Sequence, residues 1–254
     1  MLSGMIPADL ARGTAADGYA RPLVAGAAGP GEVRVVRLFL DLPLPPEAGE
    51  ILSIAERERA ARFLSEVHRR RFVAAHVGLR QVLGRCLGRD PTDLEFDHSD
   101  RGRPSVRRTA PAAFDFNLAH SGEVALIALS GRTVGVDVED VREIRDLLAI
   151  AGRFFSPREV ATLTGLAGEA RRRGFFTAWT RKEAVIKAVG AGLAALEQTE
   201  VSLAPDTDPV VLAAPGGAEA WQLFHLEPCP GYVGALAVRT ATTPVRLTTW
   251  SWRP

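Results

Sequence analysis

Lysine is nearly absent from this chain. Of its 31 basic residues only Lys182 and Lys187 are lysines, and the rest are arginines. Cysteine is as scarce. Cys86 and Cys229, far apart in sequence, exclude a disulfide framework and a zinc-type spacing. Charge of either sign is not in excess: the net charge is +1, which excludes a global attraction to nucleic acid or to an anionic membrane. No apolar run approaches the roughly 20 residues that cross a bilayer. The first 31 residues are rich in Ala, Gly and Pro and lack the basic-then-apolar order of a secretory signal. The expectation is a cytoplasmic protein with no membrane and no nucleic-acid partner. What is present is ordinary material for a core: 254 residues, 46% hydrophobic and 24% charged, enough for one large domain or two small ones.

Residues 1–31 read as a flexible N-terminal segment. Val33 to Leu40 is β-rich and ends in prolines. From Ser53 to Leu87 a helical period runs, with Ala60, Phe63, Leu64 and Val67 on one face and a break expected near His68. Phe114–Leu118, Val124–Leu129 and Val134–Val138 read as strands. Helices are expected near 141–155 and 173–189, and short strands at 201–203, 221–226, 232–239 and 245–252. The order strand, helices, strands occurs twice. It predicts an α+β fold of two similar halves, 32–130 and 131–254. Residues 53–108 hold 13 Arg against 8 acidic residues. They read as solvated helix faces or, more pointedly, as a pocket for polyphosphate, which the Arg fork suits.

Two stretches carry chemistry. In TVGVDVED, residues two apart share a face of a strand. Val134, Val136 and Val138 form one face, and Gly135, Asp137 and Glu139 the other. Two carboxylates side by side repel unless a cation lies between them, and hard oxygen ligands suit Mg²⁺ or Mn²⁺. The plain alternative is a solvated strand end. In FFTAWTRKEAVIKAV, Phe175, Ala178, Trp179, Val185, Ile186 and Val189 form an apolar stripe with Lys182 inside it. A buried ammonium needs an anion. Glu183 and Lys187, four apart, are neighbours at the stripe's edge. Lys is a compact charge that reaches a single oxygen, which fits a phosphate beside a metal. His120, at a strand end, and Arg103, in the turn Arg101-Gly102-Arg103-Pro104, complete the candidates.

The order of these pieces resembles the 4′-phosphopantetheinyl transferases, of the broad-specificity type that activates peptide and polyketide synthases. The matching motifs are Gly102-Arg103-Pro104, FNLAHS at 116–121, GVDVED at 135–140, RFFSPRE at 153–159 and FFTAWTRKEAVIKAVGAGL at 175–193. The resemblance implies two related α/β halves with a pseudo-twofold relation and coenzyme A in the cleft between them. It also implies transfer of phosphopantetheine to a serine of an apo acyl or peptidyl carrier protein, releasing 3′,5′-ADP. It assigns Asp137, Glu139 and Glu183 to Mg²⁺, with Mn²⁺ as a substitute. Lys187 and Lys182 are assigned to phosphate oxygens, and His120, Arg103, Arg71 and Arg80 to the nucleotide side. Glu183 or Glu159 would take the serine proton. A monomer would suffice. The alternative carried beside this is an idle protein of the same fold that binds coenzyme A or a carrier. Ala119 departs from the family pattern, which often has Ser there, as do Arg103 for Lys and Asp140 for Lys.

Overall fold

A computed structural model describes residues 19, 23, 25–26, 28–29, 31–107, 114–203, 208–240 and 243–253. Two sheets stack face to face, and each carries helices on its outer side. The first sheet is β1 (Glu32–Phe39), β5 (Val124–Ser130), β4 (Asp115–Ser121) and β11 (Arg246–Ser251), in the order β11-β1-β5-β4. The second is β6 (Val134–Asp140), β10 (Tyr232–Arg239) and β9 (Trp221–Leu226), in the order β6-β10-β9. All neighbours are antiparallel except β1 and β11. Two short hairpins complete the strands: β2 (Phe96–His98) with β3 (Pro104–Val106), and β7 (Glu200–Val201) with β8 (Val211–Ala213).

Strand alternation builds the layers. Val33, Val35, Leu126 and Ala128 of the first sheet meet Val134, Val136, Val138, Leu236 and Phe224 of the second in a central core. On the outer side of the first sheet, Leu38, Ile127 and Leu129 pack against Leu79, Val82 and Leu83 of α2 (Glu66–Leu87). On the outer side of the second, Val233, Ala235 and Ala237 pack against Phe175, Ala178 and Val185 of α5 (Gly168–Val189). The two long helices have 22 residues each and both end on a left-handed glycine, Gly88 and Gly190, the residue that adopts this conformation without a Cβ penalty. A short capped helix precedes each half's long helix: α1 (Ile54–Ala61) and α4 (Pro157–Gly165). A further short helix, α3, spans Leu147–Phe154. The α+β class with two similar halves is therefore the observed architecture.

Several details differ from the sequence reading. The helical break falls at Arg62–Ser65, not at His68, because the Ser65 hydroxyl accepts from His68 N and starts a new helix. The region 141–155 is helical only from Leu147, and α4 follows as a separate helix whose Pro157 occupies the first turn. The last strand, β11, joins the first sheet by parallel pairing with β1, so residues 246–251 pack with the first half. Most of residues 1–31 lie outside the described residues. Tyr19 and Leu23, however, are buried in the core. Val189 closes the predicted apolar stripe in sequence but is 39% exposed.

Candidate active site at the seam between the sheets

The edge strands β4 and β6 face each other without backbone pairing to one another. Side chains close the gap. Asp115 Oδ2 accepts from Val134 N at 2.9 Å, Asn117 Oδ1 from Val136 N at 2.8 Å, and Ser121 Oγ from Asp140 N at 3.3 Å. The partners keep one constant offset along both strands, so the strands run parallel and their C-terminal ends lie together. That end is where His120 and Ser121 of β4 meet Asp137 and Glu139 of β6.

Helix α5 reaches this end because β6 carries a glycine beneath it. A Cβ on Gly135 would collide with the backbone oxygen of Ala184 and the backbone nitrogen of Ala188. With the helix seated that low, Lys187 Nζ donates to Asp137 Oδ1 at 2.6 Å. Asp137 is 5% exposed, and its second oxygen, Oδ2, is buried with no hydrogen-bond partner. Burial pushes the Asp137 carboxyl up to about 7; Lys187 opposes this, and Glu139 and Glu183 add to it. Burial likewise raises Glu183, against Lys187 and with Glu139. Burial works against the Lys187 ammonium, yet Asp137, Glu183 and Glu139 outweigh it and raise its pKa. Three carboxylates and one ammonium therefore share a single electrostatic site. Glu139 Oε2 is held by the Ser121 hydroxyl at 2.8 Å and by Arg142 at 3.3 Å.

His120 stands at the mouth of this site. Partial enclosure, then the Lys187 and Arg59 cations, lower its pKa against Glu139. On the first-half side, Arg59 lies over the Phe72 ring at 5.3 Å, and Phe72 stacks on His76 at 3.9 Å. Burial lowers His76, with the Phe72 carbonyl raising it and Arg59 and His120 among the groups that act on it. The sequence alone does not single out Arg59, His76 or Ser121. Ser121 sits in a motif that was read, but nothing local marks Arg59 or His76, whose neighbours come from other elements.

Five candidates have partners inside the protein. Lys182 is fully buried and donates to Glu159 Oε2 at 2.7 Å, with its ammonium 5.1 Å from the Phe155 ring centre. Glu159 is 2% exposed. Its Oε2 also accepts from Ser156 N, and its Oε1 from Val201 N at 2.9 Å. Each is buried and engaged by the other. The anion that Lys182 required is a carboxylate inside the protein. Ser156-Pro157-Arg158-Glu159 is a capping box with proline in the first turn, which fixes Glu159 at the start of α4. Arg80 is 2% exposed and spends its donors on Glu56 at 2.8 Å and on the carbonyls of Pro91 and Leu94. Arg71 forms a two-point pair with Asp41 at 2.9 and 2.6 Å. Arg103 is committed to the end of α5 and to the seam, through Asp115 at 2.6 Å and the Val134 carbonyl at 2.8 Å.

Among the described residues no group of three or more Asp, Glu, His or Cys side chains is placed to hold a metal ion; the Lys187 ammonium lies against Asp137. No helix among them is long and apolar enough to cross a membrane.

Comparison with known proteins points one way. A model of the 4′-phosphopantetheinyl transferase superfamily matches residues 133–237, and a model of the N-terminal region of 4′-phosphopantetheinyl transferases matches residues 46–132. The 4′-phosphopantetheinyl transferase HetI of Nostoc sp. is 42% identical over 211 residues, 82% of this chain and 87% of that protein. The 4′-phosphopantetheinyl transferase Sfp of Bacillus subtilis is 28% identical over 87% of this chain and 98% of its own length. A phosphopantetheinyl transferase of Thraustochytrium sp. is 31% identical over 71% of this chain and 66% of its own.

Proposed function

The chain belongs to the 4′-phosphopantetheinyl transferase superfamily, and from that premise we infer that the seam between its sheets is where it moves phosphopantetheine from coenzyme A to carrier proteins. It is a transferase, and coenzyme A is its substrate. The observation that carries the site assignment is the Lys187–Asp137 contact at 2.6 Å beside the buried, unpartnered Asp137 Oδ2.

The chemistry makes three demands. The pyrophosphate charge must be neutralised, the attacking serine hydroxyl must lose its proton, and the departing 3′,5′-ADP must be stabilised. Lys187 brings a positive charge to a phosphate oxygen. His120 and Arg59 stand on the side that would receive the nucleotide. Glu183 takes the serine proton; Glu159, the other candidate, is closed off in its pair with Lys182. The serine oxygen bonds to the phosphorus that carries pantetheine, and the bond from that phosphorus to 3′,5′-ADP breaks.

Asp137, Glu139 and Glu183 would hold Mg²⁺, with Mn²⁺ as a substitute. An all-oxygen carboxylate set suits these ions, and the orphaned Asp137 Oδ2 is an acceptor without a donor. When bound, the ion neutralises and orients the pyrophosphate. The acceptors we propose are apo acyl and peptidyl carrier domains of peptide and polyketide synthases. One chain carries both halves, so a monomer suffices, and the supply of coenzyme A places the enzyme in the cytoplasm. Nothing favours the idle alternative, since every acid and lysine the chemistry needs is present.

The test is incubation with fluorophore-labelled coenzyme A, Mg²⁺ and a panel of apo peptidyl and acyl carriers. Label should appear on carrier serine, and Asp137→Ala should abolish it while circular dichroism stays unchanged. A panel that stays unlabelled would refute the transferase reading. Full activity in Asp137→Ala would refute the site.

A further inference from the structure

Arg103 belongs in sequence to the first half but acts on the second. Its loop is tightly closed: Ser99 N donates to Arg103 O at 3.0 Å, Arg103 N to Ser99 Oγ at 3.1 Å, and Gly102 takes a φ of +79°. From this base the guanidinium crosses the seam. Nη1 donates to the carbonyls of Lys187 and Ala188, and Nη2 to Asp115 Oδ2 and the Val134 carbonyl. Arg101 Nη1 adds a bond to the Gly190 carbonyl at 3.2 Å.

These targets share a feature. The carbonyls of Lys187 and Ala188 lie in the last turn of α5, where backbone acceptors lack full intrahelical partners and a cation is favoured by the helix dipole. Lys187 itself sits in that turn. Asp115 Oδ2 also takes Val134 N, so one guanidinium ties α5, β4 and β6 together within three residues of the Lys187–Asp137 contact. The side chain is 19% exposed, and both terminal nitrogens are in use.

We infer that Arg103 is a positioning residue: it clamps the last turn of α5 to the seam and so holds Lys187 against Asp137, rather than contacting a nucleotide phosphate. The kinetic consequences rest on the transferase reading; the placement of Lys187 does not.

The scarcity of lysine supplies a readout independent of activity. Lys182 is fully buried, so Lys187 is the one lysine side chain open to an amine-acetylating reagent. Acetylation followed by mass spectrometry should show Lys187 reacting several-fold faster in Arg103→Ala than in the wild type. Lys182 should stay protected and serve as the control for global unfolding. Turnover should fall roughly 10- to 100-fold, as for a misplaced catalytic group, with KM for coenzyme A nearly unchanged. The loss should be equal with 3′-dephospho-coenzyme A. Arg103→Lys, which keeps the charge but not the fork, should lie between, and it decides the matter if Arg103→Ala does not fold. Unchanged Lys187 reactivity overturns the inference. So does a rise in KM alone that disappears with 3′-dephospho-coenzyme A, since that is the signature of a phosphate contact. A wild-type protein that labels no carrier would sink the transferase reading but leave the acetylation result standing.

Discussion

Each half of the molecule opens its helical part in the same way. In the first, Ser53 and Glu56 form a capping box at the start of α1, and Glu56 pairs with Arg80, a 2%-exposed cation on the long helix α2. In the second, Ser156 and Glu159 form a capping box at the start of α4, and Glu159 pairs with Lys182, a fully buried cation on the long helix α5. The glutamate finishes a helix start and anchors the next helix with one side chain. The halves then diverge. One and five positions past Lys182 lie Glu183 and Lys187, and Lys187 reaches Asp137 over the glycine that lets α5 down onto β6. One and five positions past Arg80 lie Gln81 and the exposed Arg85. An anchored helix is common to both halves. Chemistry requires a second set of groups beside the anchor and a strand of acids close enough to meet them.

The contrast can be broken at the anchors. Glu159→Ala leaves Lys182 buried and unpaired, and loss of one partner of such a pair costs about 3–5 kcal/mol. Glu56→Ala should cost less, about 1–3 kcal/mol, because Arg80 keeps the carbonyls of Pro91 and Leu94. Urea melts of the two variants would measure the difference; equal losses would show that the two anchors are energetically the same. Next comes the seam that joins the halves. Asn117→Ala removes the acceptor of the Val136 N–H and should cost about 1–3 kcal/mol, read as a lower urea midpoint. No loss there would mean that the ladder does not hold the sheets.

The smallest effect concerns the acid cluster of the second half. The Asp137 carboxyl is raised to about 7, so below that pH it carries a proton that a cation must displace. Mg²⁺ affinity should therefore rise as pH climbs, up to about tenfold per unit for one displaced proton, and level off above 7. Titration calorimetry between pH 5.5 and 8.5 checks the slope, and a flat profile would remove Asp137 from the ligands. The same shift acts on stability with a defined sign. The folded state holds the proton more tightly than the unfolded chain, so the Asp137 contribution weakens the fold as pH rises from the ordinary aspartate range through 7.

Much of this was readable before any fold was known. Alternation in TVGVDVED separated the core valines from Gly135, Asp137 and Glu139, and helical spacing set Glu183 beside Lys187. Both are local periodicities, fixed by backbone geometry within a few residues. The same arithmetic put Lys182 in an apolar stripe and demanded an anion for it. It could not say that the anion was Glu159, because packing of α4 against α5 chooses that partner. Arg71, Arg80 and Arg103 illustrate the same boundary. Each is a plausible phosphate ligand by residue type, and each is committed to Asp41, Glu56 or Asp115.

By itself, then, the sequence determined the class of the fold, the acidic strand, the glutamate–lysine helix and, through motif resemblance, the family. Tertiary structure decided which of the charged residues face the cleft and which are consumed in holding it together. The reason is physical. Periodicity follows from the chain's own geometry over short spans, whereas the partner of a buried charge is whichever group folding brings within about 3 Å, often from an element far away in sequence. Of the two lysines, one anchors α5 inside the protein and the other reaches the reactive seam, and only packing could tell them apart.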